Sequence, residues 1–286
     1  MEPPIPTATY EGSLSPGSNS TSWAENKATL LLPAYHDTKD TVAVSLLGDV
    51  VNFNDPPVLD SGTQVPQDLY KMEIGVSYFH QLEDKKIWGL RTSIGYDGDK
   101  PFQAAGDLTY SLSANYGFPG SGRGYWLLYV FFSNNSPLGD YIPIPGFSYV
   151  YKSETFVGSF GLPILALQWK PYPLWYYSLM VLGPIIQTEL GYGNLDNAQV
   201  FVGFYWTRLQ YILSDRVNPT DRLTLEEKKV CIGLRAPVYR TFTAEIQAGQ
   251  AFDRYFYIGD HLFDTNGGEA LIKPDWYASV SLKVRL

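Results

Sequence analysis

Leu69-Tyr70-Lys71-Met72-Glu73-Ile74-Gly75-Val76-Ser77-Tyr78-Phe79-His80-Gln81 is the stretch that decides the fold. Tyr70, Met72, Ile74, Val76, Tyr78 and His80 alternate with Lys71, Glu73, Gly75, Ser77 and Gln81, the period of a β-strand with one apolar face. Two more segments repeat the pattern. Trp88, Leu90, Thr92, Ile94 and Tyr96 oppose Gly89, Arg91, Ser93, Gly95 and Asp97, and Tyr110, Leu112, Ala114, Tyr116 and Phe118 oppose Thr109, Ser111, Ser113, Asn115 and Gly117.

The aromatic residues at the ends of these rows identify the solvent. Tyr70 and Tyr78, Trp88 and Tyr96, and Tyr110 and Phe118 each stand eight residues apart. Eight residues of strand span about 26 Å, and a tilt of about 40° leaves roughly 20 Å of height, near the apolar band of an outer-membrane barrel. Rings with polar tips collect at the two membrane interfaces. These six residues and Trp276 are therefore expected to form an aromatic girdle. The small, polar opposite face suits a wet lumen. The expected fold is an all-β, transmembrane, antiparallel up-and-down β-barrel.

Composition agrees with that reading. Among 286 residues there are 22 Tyr, 15 Phe, 7 Trp and 26 Gly, while 17% are charged. The longest unbroken apolar run, Trp126 to Phe132, is far short of the roughly 18 residues a membrane helix needs. A net charge of -8 and the lack of any basic run exclude nucleic-acid binding. The single cysteine, Cys231, excludes an internal disulfide and reads as a small packing residue. Met1-Glu2-Pro3-Pro4 has neither a basic n-region nor an apolar h-region. A signal segment is thus expected to have been removed ahead of the numbered chain.

Residues 1–26, rich in Pro, Ser, Thr, Gly and Asn, are expected to form a loose arm, part of which either plugs the lumen, folding into or against the barrel with Trp23 as anchor, or leaves it to water, unless the arm itself supplies a strand; residues 27–286 are expected to form the barrel. Short and long connections alternate along the barrel, as inner turns and outer loops do. Pro171 to Leu174 breaks the phase, being as short as an inner turn where an outer loop is due. The count comes to about thirteen strands. Bacterial barrels have even numbers, so twelve to fourteen are expected.

Trp276, Ala278, Val280, Leu282, Val284 and Leu286 alternate with Tyr277, Ser279, Ser281, Lys283 and Arg285 to the end of the chain. This resembles the C-terminal strand of bacterial outer-membrane proteins that the barrel assembly machinery reads, with Leu286 where that family usually has Phe. From Ile144 to Gly259 the chain also resembles an uncharacterised family of outer-membrane barrels, on Pro145-Gly146-Phe147-Ser148-Tyr149-Val150-Tyr151, Gly161-Leu162-Pro163, Asp221-Arg222-Leu223 with Glu226-Glu227-Lys228-Lys229, and Gly249-Gln250-Ala251-Phe252-Asp253-Arg254. The resemblance implies fold and compartment, the bacterial outer membrane, and no activity.

Alternation places Arg91, Glu189, Glu227, Lys229, Arg235, Glu245, Lys283 and Arg285 on inward positions. They read either as a charged lining that selects solutes or as ion pairs that brace and fill the barrel. The acidic clusters Asp97-Gly98-Asp99 and Asp260, Asp264 and Glu269 lack calcium-loop spacing and read as solvated charge. The sequons at Asn19 and Asn134 read as chance matches. No Ser, His and acid set has catalytic spacing around His36, His80 or His261, so no enzyme, metal or cofactor is expected. The expected partners are the lipid bilayer, lipopolysaccharide, the barrel assembly machinery during insertion and an envelope protein. Two functions stay open: a narrow passive channel for small hydrophilic solutes, and a sealed barrel that docks a partner.

Overall fold

The computed structural model describes residues 4–17, 21–136, 139–260 and 264–286; His261, and Asn19 and Ser20 of the first sequon, lie outside them. The strands are β1 (Thr7–Ser15), β2 (Trp23–His36), β3 (Asp40–Phe53), β4 (Asp68–Gln81), β5 (Ile87–Gly98), β6 (Leu108–Pro119), β7 (Gly124–Ser133), β8 (Ile144–Lys152), β9 (Phe156–Leu162), β10 (Ile164–Tyr172), β11 (Trp175–Leu182), β12 (Ile185–Asn194), β13 (Ala198–Tyr211), β14 (Arg222–Tyr239), β15 (Phe242–Gly259), β16 (Glu269–Ile272) and β17 (Asp275–Arg285). Each strand from β1 to β15 pairs antiparallel with the next. β17 pairs with Phe242 to Ala251 of β15, and with β1 from Thr7↔Arg285 to Leu14↔Ala278. Short β16 rides only on Arg254 to Tyr257 of β15. The result is a closed barrel of sixteen strands, which leaves no sheet edge in the bilayer.

Sixteen replaces the expected twelve to fourteen for three local reasons. Thr7–Ser15, assigned to the arm, is a wall strand, and Trp23 to Asn26 begin the next one. The run from Phe156 to Tyr172 breaks at Pro163 into β9 and β10, because proline removes a ladder donor. Likewise Gly183-Pro184 turns β11 into β12 inside an apolar run that carries no polar marker. The two added turns restore the phase: the Pro173-Leu174 connection lies on the short-turn side with Asp37 to Lys39, Leu82 to Lys86 and Leu195 to Asn197.

The wall faces as the alternation requires. Ile74, Val76, Leu90 and Ile94 are exposed on the outer surface, while Gly75, Ser93 and Gly117 are buried on the inner one. Gly249 sits where only glycine fits, since a Cβ would collide with the Val230 carbonyl on the neighbouring strand. Height varies round the barrel. β14 and β15 have 18 residues each, whereas β9, β10, β11 and β12 have 7, 9, 8 and 10.

A barrel of this strand number is too wide for its own wall side chains to fill. At the long-loop end the space is occupied by an apolar core. Trp23, Val51, Phe53 and Leu69 from β2 to β4 meet Tyr211, Leu223, Leu225 and Phe256 from β13 to β15, and Leu59, Val65 and Leu213 from the connections and Ile272 of β16 complete it. Phe53 stands edge-on to both Trp23 and Phe256, with ring centres 5.4 Å apart in each pair.

Candidate functional site

The lumen is the candidate site, and it is organised in levels from the long-loop end to the short-turn end. The uppermost is the cap. Residues 54–67 fold into a compact hairpin, with Leu59 N–H donating to the Thr63 carbonyl (2.8 Å) and Val65 N–H to the Pro57 carbonyl (3.0 Å). That hairpin presents Leu59 and Val65 to the core, only 2% and 1% exposed. Asp60 ties it to β16 through the Glu269 backbone, donating at 3.0 Å and accepting at 2.9 Å.

A second loop, 212–221, crosses the barrel mouth from β13 to the opposite wall. Ile212 N–H donates to the Asp97 carbonyl at 2.7 Å. Asp99 accepts the amide and hydroxyl of Ser214 at 2.8 and 3.0 Å, and Asp107 accepts Arg216 at 2.8 Å. Arg222 closes the mouth against Asp140 at 2.5 Å and Asn135 at 3.2 Å. Burial raises the Asp140 carboxyl above its ordinary value, against the pull of the Arg222 guanidinium. The acidic pair Asp97 and Asp99, read as solvated charge, is instead the anchor of this crossing loop. Asn134 has a structural duty too: its side chain accepts from Tyr110 N–H and donates to the Leu108 carbonyl, each at 2.8 Å.

Below the cap the expected charged residues fall into separate groups. Glu227 forms an ion pair with Lys229 and lies 3.6 Å from Arg254, which is wholly buried. Arg235 bonds Glu245 at 2.5 Å and Glu189 at 3.4 Å, while Tyr176 and Tyr205 donate to Glu189 at 2.9 and 2.8 Å. The Arg235 guanidinium also covers the Phe201 ring at 4.8 Å. Arg91 is not part of either group. It pairs at 3.2 Å with Glu73 of the adjacent strand β4 in the lumen's lower part, where a cavity of about 430 Å³ is lined by Thr7, Thr9, Thr29, Ser45, Glu73, Arg91 and Lys283 together with Leu30, Leu31, Leu46 and Leu47. Arg285 stays at the exposed short-turn rim.

Several inward charges escaped the sequence reading. Glu25 and Lys27 lie in alternate positions of β2, opposite Val51 and Asp49 of β3, and Glu11 faces Lys27 from β1. Placing residues 1–26 in an arm concealed Glu11 and Glu25 and left Lys27, at the first position of the expected barrel, without its partners. Arg254 was hidden by a β-bulge: Asp253 has φ 45°, and the pairing jumps from Lys228↔Phe252 to Glu226↔Tyr255. One extra residue exchanges the faces beyond it, so Arg254 and Phe256 point inward and Tyr255 and Tyr257 outward.

The outer surface shows where the bilayer sits. On β14, exposed Val230, Ile232, Leu234 and Val238 form the apolar row. Just above it Glu226 accepts from Trp206 Nε1 and Tyr255 Oη at 2.8 Å and from Arg208 Nε at 2.7 Å, a polar collar outside the apolar band. At the other end Tyr78 and His80 share the Asp40 carboxylate at 2.6 and 2.7 Å, and Trp88 packs edge-on to Tyr78. In the turn beside it, Asp37 is lowered to about 2 by hydrogen bonds from Asp40 N–H, the Tyr35 hydroxyl and Lys39 N–H. The expected girdle residues Tyr70, Tyr78, Trp88, Tyr110, Phe118 and Trp276 hold partly or fully exposed positions. Tyr96 does not. It is fully buried under the loop after β5, where its oxygen accepts Lys100 N–H at 2.6 Å, and Phe102, 63% exposed, takes the outer place.

These features define a transmembrane β-barrel of the bacterial outer membrane with a capped lumen. The chain matches no protein-family model and no curated protein. It resembles solved outer-membrane barrels: an outer membrane channel from Pseudomonas putida F1 (11% identity, 99% of this chain and 96% of that one, TM-score 0.39). A mutant of the TodX monoaromatic hydrocarbon channel is similar at 9% identity, covering 98% and 89%, with TM-score 0.39. The translocator domain of the autotransporter NalP from Neisseria meningitidis matches at 11% identity, 99% and 87%, with TM-score 0.29. Likeness this distant carries no argument about solute or mechanism.

Proposed function

We propose that this barrel is a passive channel for small hydrophilic solutes, and that the structure represents its closed state. The observation that carries the reading is that part of the obstruction is made by connections: residues 54–67 and 212–213 place Leu59, Val65 and Leu213 in the apolar core at the mouth, against the wall residues Trp23, Phe53, Tyr211 and Phe256. Below them lies a cavity lined by threonine, serine and mixed charge beside four leucines of β2 and β3. A connection can swing away without breaking the ladder, and its departure would remove the three side chains that fill the space between the two groups of wall residues. Fixed charges at Glu73, Arg91 and Lys283 then set solute preference by electrostatics, with no chemistry at the solute.

A second reading, a sealed barrel that docks an envelope partner, is favoured by the apolar packing of the cap. Planar-bilayer recording separates the two. Replacing residues 54–67 by a short Gly-Ser turn is expected to give steady conductance where the intact chain gives little. Silence from both proteins, together with normal heat-modifiable migration, would favour the sealed barrel.

A further inference from the structure

A single line of cross-strand partners runs along the inner face of eight neighbouring strands, from β14 through the seam to β5. In order it reads Arg235, Glu245, Ser281, Glu11, Lys27, Asp49, Lys71 and Asp97, each residue standing directly opposite the next. Only Ser281 is uncharged. Direct partners on one face have Cβ atoms about 5 Å apart, so each charge acts on both of its neighbours.

The line lies at a boundary. Thr9, Thr29 and Leu47, the next inward residues of β1, β2 and β3 toward the short turns, line the lower cavity. In the other direction Val51 and Leu69, the next inward residues beyond Asp49 and Lys71, belong to the apolar core of the cap. A solute that moves along the axis between mouth and cavity passes this line.

Its two ends are closed by ion pairs and its middle is not. Arg235 bonds Glu245 at 2.5 Å, and Lys71 bonds Asp97 at 3.1 Å. Between them Glu11, Lys27 and Asp49 form no ion pair among the described residues, and neither does Glu25, the next inward residue of β2. Three carboxylates thus share one ammonium. Asp49 is 3% exposed, and its Oδ1 has no hydrogen-bond partner among the described residues. Lys229 of β14 is already paired with Glu227.

A row that only braced the wall would be complete, because a buried carboxylate left unpaired keeps the full cost of its lost hydration. Unbalanced carboxylates in a passage with low-dielectric walls instead draw cations and turn anions away. We propose that Glu11, Glu25 and Asp49 are the selectivity step of the channel, and that the solutes it passes are small cations. This rests on the channel reading and narrows it to one sign of charge. Glu73, Arg91 and Lys283, in the cavity, act on the solutes that the line admits.

Two measurements test the proposal, and the second needs no current. In the protein with residues 54–67 replaced by a short Gly-Ser turn, a KCl gradient across a planar bilayer is expected to give a reversal potential of the sign set by potassium, the cation being several-fold more permeant than chloride. Glu25→Gln together with Asp49→Asn should reduce that preference several-fold. A protein that conducts but prefers chloride, or whose preference ignores both substitutions, would overturn the inference and leave the channel reading standing.

The second measurement is the rate at which a cysteine at position 29, from Thr29→Cys on a Cys231→Ser background, is modified in detergent solution at low salt. A methanethiosulfonate carrying a trimethylammonium group is compared with one carrying a sulfonate. The ratio is expected to favour the cationic reagent and to fall several-fold when Glu25→Gln and Asp49→Asn are added, with heat-modifiable migration showing that each barrel is intact. A ratio unchanged by these substitutions would show that the row only braces the wall, and would overturn the inference. A silent bilayer with a ratio that does fall would count against the channel reading and not against the charge of this line.

Discussion

The guanidinium carbon of Arg254 lies 3.7 Å from the centre of the Trp23 ring, and both residues are buried where the charged interior meets the apolar cap. A desolvated stack of this kind contributes about 2 kcal/mol. Glu227, 3.6 Å away, supplies the balancing charge, and Ser15 accepts from the guanidinium at 3.3 Å. The pair joins β2 to β15 across the seam strands β1 and β17.

Trp23→Ala is expected to loosen the cap by the cost of an emptied aromatic site, about 3–5 kcal/mol, and to raise open probability in a planar bilayer. Arg254→Lys keeps the charge but loses the flat stack, and should show a smaller effect in the same direction. Equal traces for wild type and Trp23→Ala would remove the cap from the account.

Arg235 neutralises two carboxylates, Glu245 and Glu189. In the variant lacking residues 54–67, Arg235→Gln should shift the reversal potential under a salt gradient toward cation preference, because two negative charges lose their partner. Glu73→Gln should shift it the other way by releasing Arg91. A reversal potential indifferent to both changes would mean that ions do not pass these groups.

Loop 212–221 is held to the far wall by Asp99 and Asp107. Asp99→Ala and Asp107→Ala together are expected to increase cleavage within this loop by added protease several-fold while the barrel stays heat-modifiable. Each hydrogen bond lost accounts for about 1 kcal/mol of local stability. Resistance equal to wild type would show that the loop is held by its apolar contacts alone.

Gly249→Ala should impair assembly rather than gating, since the new methyl group meets the Val230 carbonyl and the Cys231 Cα on the adjacent strand. The readout is the yield of heat-modifiable barrel. A normal yield would imply that β14 and β15 can separate locally.

The membrane-facing rows were legible because lipid on one side and water on the other impose strict alternation, as from Tyr70 to His80. What failed were positions where a different rule prevailed. Thr7–Ser15 has the small, polar composition of a coil and becomes a strand only because β2 and β17 flank it. The breaks at Pro163 and Gly183-Pro184 were invisible because strands apolar on both faces carry no period. Arg254 was misplaced by one residue of bulge at Asp253. Tyr96 and the acidic pair at Asp97 and Asp99 were misjudged because loops that return over the barrel are set by long-range contact, for which local sequence has no pattern. Of the eight charges expected inside, the pairings of Arg235 with Glu245 and Glu189 required the register, and Arg91 with Glu73 the lower cavity.

The Leu286 amide donates to the Pro6 carbonyl at 2.9 Å beside the β1–β17 seam, where two strands far apart in sequence pair. Every other stave is joined to its neighbour by a connection of the chain itself. Construction of the barrel thus reduces to a row of local hairpins plus one distant event, the meeting of β1 with β17. Until that event β1 and β17 are raw edges, open to any other strand in the envelope. The time between the last hairpin and this closure sets how long the molecule stays exposed to mispairing. Joining residues 6 and 286 by a linker and reopening the chain at the Asp37–Lys39 turn would move that vulnerable interval to a different pair of strands while keeping the strand pairings of the finished barrel.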